Sequence, residues 1–225
     1  MYRDKTVSLV IPCYNEEEGL QYLLSKIPSV IDEVVVVDNG STDNTAAVAR
    51  GFGAKVVEEK VKGYGRAYKS GFKNAAGDII ITMDGDGTYP PEAITLLLYI
   101  FFEEGLDFIS ARRWRSKSQQ GKSPIRLFGN FVLSLTMAAL FFSYVVDSQS
   151  GMWVFKKEIL PRLKITSDGM ALSEEIKIEV FSDKSMRALE IPIYYGERVG
   201  KSKLNLWKDG FYNLFFLFKK RFGLV

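Results

Sequence analysis

Gly77-Asp-Ile-Ile-Ile-Thr-Met-Asp84-Gly-Asp86-Gly-Thr-Tyr-Pro-Pro91 runs from an apolar, largely β-branched segment straight into two carboxylates one glycine apart. Ile79 to Met83 is too short for a helix and has no polar face, so it reads as a strand buried on both sides. Asp84 and Asp86 stand where that strand ends. Gly85 and Gly87 let the backbone turn closely there, and Pro90 and Pro91 prepare a helix from about Glu92. Two carboxylates this close repel each other unless a cation lies between them. Mg²⁺ or Mn²⁺ suits such oxygen ligands, completed by the phosphates of a substrate. For Asp-x-Asp alone, a solvated polar turn is the plain alternative.

Upstream, other apolar runs also end in polar residues. Thr6 to Ile11 is a first buried strand, followed by Pro12-Cys13-Tyr14-Asn15-Glu16. Asn15 is expected to cap a helix reaching about Lys26, with Glu16, Glu17 and Glu18 favouring its first turn. Glu33 to Val37 is a second strand, ending in Asp38-Asn39-Gly40-Ser41-Thr42-Asp43, where Ser41 or Thr42 would cap the next helix. Lys55 to Glu58 is a short third strand. Lys62-Gly63-Tyr64-Gly65-Arg66 then opens a helix from Ala67 to Ala75, its glycine pair reading as either a phosphate cradle or a plain turn. Alternation of this kind gives an α/β fold with a parallel sheet, in which ligands bind beyond the carboxyl ends of the strands. Pro12 to Glu16, Asp38 to Ser41, and Asp84 to Asp86 therefore converge on one crevice suited to a nucleotide and a metal.

The 225 residues suffice for one domain with a substantial core. A net charge of +3 is too mild to indicate nucleic acid, and none is expected as a partner. The single cysteine, Cys13, excludes an internal disulfide and a cysteine-rich zinc site. With no histidine in the chain, a Ser-His-Asp triad and a Cys-His pair are excluded. The N-terminus lacks the basic and apolar regions of a signal peptide, which gives the expectation of a cytoplasmic protein.

Three motifs together resemble the family 2 glycosyltransferases of GT-A fold: Val7 to Glu16, Val35-Val-Val-Asp-Asn-Gly-Ser-Thr-Asp43, and Gly77-Asp with Met83-Asp-Gly-Asp86. Asp147-Ser-Gln-Ser-Gly151, Glu190-Ile-Pro-Ile193 and Arg198-Val-Gly-Lys-Ser-Lys-Leu204 narrow the resemblance to the dolichol-phosphate mannosyltransferase branch, which loads a sugar onto a polyprenyl phosphate. The resemblance implies a Rossmann-like, mostly parallel sheet flanked by helices, with interfacial amphipathic helices added. It implies that Pro12, Tyr14, Glu16 and Asp38 hold the base and ribose of a nucleotide-sugar donor. Asp84 and Asp86 would bind Mg²⁺ or Mn²⁺ and the donor diphosphate. Thr88 stands where mannosyltransferases of this branch often carry glutamine. Its hydroxyl can reach the metal or a metal-bound water, and GDP-mannose and UDP-hexoses both remain open as donors. Asn39 replaces a frequent second aspartate. Arg112 and Arg126 stand where the acceptor phosphate is held. Residues 1–205 are then the GT-A domain, including a membrane-interface and acceptor helix over 125–146, and 206–225 form a C-terminal amphipathic helix.

Arg112, Arg113, Arg115, Lys117, Lys122 and Arg126 gather six cations in fifteen residues, just before the apolar, uncharged run Leu127 to Val146. Gly129, Asn130, Ser134, Thr136 and Ser143 dilute that run. A helix at the membrane interface therefore fits better than a core helix or a spanning one. Cations beside such a helix are what capture of a lipid-linked phosphate requires. Asp147 orients acceptor or donor sugar, or is a plain helix-terminal residue. Glu174 and Glu175 open a further helix, with Glu174 the better placed for a sugar hydroxyl. Arg198, Lys201 and Lys203 lie on a loop able to close over the diphosphate. Phe211, Tyr212, Phe215, Phe216 and Phe218, followed by Lys219, Lys220 and Arg221, suit a membrane surface. Peripheral attachment to the cytoplasmic face follows as the expectation.

A lipid phosphate arrives anionic, with a second pKa near about 6 by analogy with phosphorylated side chains, so no general base is needed. Direct displacement would invert the anomeric carbon. The expected activity is metal-dependent, inverting hexosyl transfer to dolichyl or polyprenyl phosphate. The alternative is transfer to a soluble saccharide hydroxyl, which needs a base such as Asp147 or Glu174. A catalytically silent nucleotide-binding scaffold is the third class.

Overall fold

A computed structural model describes residues 1–114, 124–200 and 206–225. Seven strands form one sheet: β1 (Val7–Cys13), β2 (Glu33–Asp38), β3 (Lys55–Glu58), β4 (Ile79–Thr82), β5 (Phe108–Trp114), β6 (Trp153–Lys156) and β7 (Ala188–Tyr194). Their order is β3-β2-β1-β4-β6-β5-β7. All neighbours run parallel except β6, which is antiparallel to both β4 and β5. Reversal of β6 brings its leading residues to the same edge of the sheet as the carboxyl ends of β1, β2 and β4. Central β4 is buried on both faces, as its unbroken apolar run requires.

Helices α1 (Glu17–Leu24), α2 (Thr45–Gly51) and α4 (Ala93–Glu103) cover the face lined by Leu9, Ile11, Ile81 and Val154. The opposite face, with Val10, Val35, Ile80 and Phe155, is covered by α3 (Tyr64–Asn74), a 3-10 turn (Lys157–Arg162) and α6 (Leu172–Ser182). Helices α5 (Pro124–Phe141) and α7 (Leu206–Arg221) lie outside α6 as a third layer. Leu133, Met137, Ile178 and Leu217 form the small core that joins them to it.

Several expectations are corrected. Asn15 is not a helix cap. It adopts φ 53°, and its Oδ1 accepts the Thr42 N–H at 2.7 Å, so it ties the first two strand ends together. Neither Ser41 nor Thr42 caps α2, where Asp43 accepts the Thr45 N–H instead. The pair Gly63 and Gly65 allows close packing: a Cβ there would lie 2.5 Å from the Asp168 carbonyl oxygen and 2.4 Å from that of Ser167. The apolar run does not stay helical to residue 146. Helix α5 ends at Phe141, and Phe142 turns the chain with φ 54°. No helix among the described residues is long and apolar enough to cross a membrane. Arg112 and Arg113, the first two of the six clustered cations, lie on β5. Glu174 and Glu175 do open α6 as expected, and both are fully buried.

Candidate active site

The strand ends meet as their polarity predicts. Pro12 and Asp38 close β1 and β2, and the Asp38 carboxylate accepts the Ser41 N–H at 3.0 Å. Tyr14 follows, its hydroxyl 2.7 Å from Lys62 Nζ. Asn39 holds the far wall: its Nδ2 donates to the carbonyls of Glu59 and Val61, and its Oδ1 accepts the Gly63 N–H at 2.8 Å. An aspartate there would have no N–H to offer those carbonyls, which gives the departure from the family pattern a physical reason.

Beyond β4 the two aspartates sit in different surroundings. Asp86 is buried; its Oδ1 accepts the backbone N–H and the hydroxyl of Thr88 at 3.0 and 2.6 Å. Its Oδ2 pairs with Arg198 at 2.9 Å, and the same guanidinium bonds Glu16. Arg198 therefore bridges the ends of β1 and β4. The backbone follows it, with Val199 N–H on the Asp86 carbonyl at 2.9 Å and Gly87 turning at φ 75°.

Asp84 lies under Tyr64, whose hydroxyl donates to Oδ1 at 3.2 Å. Burial first, and the charge of Asp86 second, lift its pKa to about 7. Tyr64 and Tyr68 stay protonated, their pKa values raised chiefly by burial, and remain donors. Gly151 closes the third side. A Cβ there would fall 2.3 Å from the Tyr64 hydroxyl and 3.1 Å from Asp84 Oδ1, so only glycine fits.

Facing Asp84 is a pair that the sequence did not mark as one. Arg113 directs Nε and Nη2 onto Asp147 at 2.7 and 2.6 Å, and its backbone N–H adds a third bond at 3.0 Å. Burial pushes the Asp147 carboxyl up, but the charge and hydrogen bonds of Arg113 outweigh it and hold the pKa at about 2. Beneath them, fully buried Lys177 donates to the carbonyls of Asp147, Ser148 and Ser150 at 2.7, 3.0 and 2.9 Å. Glu174 is also fully buried, bonded by Gln149 at 2.6 Å, and burial raises its pKa to about 8.

The structure thus gathers Glu16, Asp84, Asp86, Thr88, Asp147 and Arg198 of the expected residues and adds Arg113, Tyr64 and Lys177. Arg112 alternates to the opposite face of β5. Arg126 belongs to α5, but its side chain and the whole of Lys203 lie outside the described residues, as do Arg115, Lys117, Lys122 and Lys201. Trp153 is fully buried core. Recognising β5 as a strand, with its period of two, is the signal that would have turned Arg113 towards the crevice.

Oxygen-only donors at Asp84 and Asp86 suit Mg²⁺ or Mn²⁺, and a cation would relieve the repulsion that raises the Asp84 pKa. Among the described residues no third acidic side chain completes a protein-only cage. That fits an ion which takes its remaining ligands from substrate phosphate and water.

The family model of glycosyl transferase family 2 matches residues 8–163. The chain belongs to that family. As a family 2 glycosyltransferase it is 31% identical over 219 residues to a low-salt glycan biosynthesis hexosyltransferase of Haloferax volcanii, covering 94% of this chain and 53% of that one. It is also 31% identical over 212 residues to a dolichyl-phosphate hexose transferase of the same organism, with 93% and 91% covered. A dolichol-phosphate mannosyltransferase of Pyrococcus furiosus is 31% identical over 211 residues, with 88% and 59% covered. The chain thus spans about half the length of the first relative and nearly all of the second. Among solved structures, glucosyl-3-phosphoglycerate synthase of Mycobacterium tuberculosis, crystallised with Mn²⁺, UDP and glucosyl-3-phosphoglycerate, superposes with TM-score 0.75 at 20% identity. That match covers 98% of this chain and 81% of the other, and it establishes the GT-A fold.

Proposed function

We propose that this glycosyltransferase moves a hexose from a nucleotide-sugar donor to a polyprenyl phosphate, with inversion. The observation that carries this reading is the Asp147–Arg113 fork. Transfer to a saccharide hydroxyl needs a carboxylate poised to take a proton near neutrality. Asp147, held near 2 by Arg113, is a poor base, Glu174, raised to about 8 by burial, already carries its proton at neutrality, and Asp84, lifted to about 7, is the carboxylate that would be committed to the cation. A phosphate acceptor arrives without a proton to lose and needs positive charge to restrain two anionic reactants. Arg113 offers that charge beside Asp84. The dolichyl-phosphate hexose transferase of Haloferax volcanii supports the same acceptor class.

Asp84 and Asp86 would hold the Mg²⁺ or Mn²⁺, with Thr88 orienting Asp86. When bound, the ion supplies charge neutralisation on the departing diphosphate. Arg198, paired with Asp86 and Glu16, would meet that diphosphate, Tyr64 fixes Asp84, and Pro12, Tyr14, Glu16 and Asp38 would hold the nucleoside. Arg126 would assist at the acceptor phosphate, whereas Arg112, on the opposite face of β5, takes no part there. Acceptor delivery is served by the exposed aromatic surface of α5 and α7, where Phe128, Phe131, Trp207 and Phe211 are each at least 60% exposed. Such a surface suits the interface of a membrane.

Incubation with GDP-mannose and UDP-hexoses, dolichyl phosphate and Mn²⁺, read by mass spectrometry, tests the reading. Hexosyl-phosphoryl lipid is expected from at least one donor, with the anomer inverted by NMR. Transfer to soluble saccharides alone would overturn it.

A further inference from the structure

The two helices with exposed aromatic faces share one hydrogen-bonding target, the loop that carries Asp147. From α5, Asn130 Nδ2 and Ser134 Oγ both donate to the Val146 carbonyl, at 3.3 and 3.2 Å. Ser134 Oγ also accepts the Ser148 N–H at 3.3 Å, and Asn130 Oδ1 accepts the Ser148 hydroxyl at 3.2 Å. From α7, Asn213 Nδ2 donates to Gln149 Oε1 at 2.9 Å. Ser134, Ser148 and Asn213 are buried, so the Ser134–Ser148 bond lies away from bulk water and the bond from Asn213 is partly shielded, where a missing partner is costly; the Asn130 bond to Val146 is exposed.

The loop has little freedom elsewhere. Lys177 fixes its carbonyls from below, and Glu190 accepts the N–H groups of Val146 and Asp147 at 2.6 and 2.9 Å. A displacement of either helix therefore falls on the three consecutive residues Asp147, Ser148 and Gln149. Asp147 in turn orients the Arg113 guanidinium.

We propose that Asn130, Ser134 and Asn213 are positioning residues through which α5 and α7 set the Asp147–Arg113 fork at the acceptor side of the crevice. The inference rests on the polyprenyl-phosphate reading. It gives the lipid-facing layer a second role, because the helices that meet the lipid also aim the arginine that receives its phosphate. The three residues bond to Val146, Ser148 and Gln149 rather than to Asp84, Asp86 or Arg113, and the donor half of the crevice is built from other elements.

The test uses the full chain with Asn213→Leu, a near-isostere without the amide, and Gln149→Leu singly and together. Asn213→Leu is expected to lower kcat about three- to tenfold, the range of one or two buried hydrogen bonds, at unchanged donor KM and unchanged vesicle flotation. The double variant is expected to fall no further than the worse single one, because both break the same contact. Ser134→Ala probes the α5 arm independently and is expected to show the same split of kcat from donor KM. Wild-type kcat in both Asn213→Leu and Ser134→Ala, with only a lowered Tm, would overturn the proposal. So would losses that simply add in the double variant. If wild-type enzyme makes no lipid product, the functional reading itself fails, and that result is distinct from either.

Discussion

At Glu174 the fold buries a carboxyl completely beneath Gln149 and raises its pKa from 4.5 to about 8. Between those values the unfolded chain has released a proton that the folded chain still holds, so the stability contributed by this residue falls as pH rises through the window. Glu174→Gln removes that dependence. Its Tm relative to wild type is expected to climb by several degrees from about pH 5 to about pH 8 in calorimetry; an offset constant with pH would contradict the assignment. Gly151→Ala is expected to reduce kcat roughly a hundredfold or more, since the added methyl collides with Tyr64 and Asp84, the pair that sets the site geometry. Steady-state kinetics on the folded variant checks it. Asp84 and Asp86 were legible because strand, turn and carboxylates are consecutive. Arg113 was not, because its partner lies 34 residues away and its neighbours in sequence are also cations.

For the elements, the outer helices carry the membrane reading. Phe128 on α5 and Phe211 on α7 are 69% and 67% exposed, so replacing them removes little folded-state packing. Phe128→Ser with Phe211→Ser is expected to weaken binding to anionic vesicles roughly tenfold or more, with Tm almost unchanged, in a flotation assay. Equal flotation would remove these faces from the interface. Not every basic residue of α7 is available to such a surface. Lys220 turns inward to Glu175 and Glu179 at 2.9 and 2.8 Å, and the helix face it occupies is structural. The aromatic and apolar content of α5 was legible, but its end was not: the left-handed turn at Phe142 is made by a residue type that carries no turn signal.

Across the whole molecule, alternation of strands and helices through β4 revealed the parallel sheet, because each short strand carries a consecutive apolar run at its centre. Leu189 to Tyr195 reads as a strand from its own pattern, but the reversal of β6 and the parallel pairing of β7 with β5 were not legible, since they depend on pairings between distant segments. The convergence of strand ends makes the donor half of the crevice a single binding unit. Mn²⁺ with UDP or GDP is expected to raise Tm by about 5 °C at a hundred times Kd, and Asp86→Asn is expected to lose the metal-dependent part. The most direct measurement is anomalous diffraction from crystals soaked with Mn²⁺ and the preferred nucleotide. The account predicts a manganese peak held by Asp84 and Asp86 against the diphosphate, with the Arg113 guanidinium facing it. Nucleotide bound with no manganese at those carboxylates, or Arg113 turned away from the diphosphate, would contradict it.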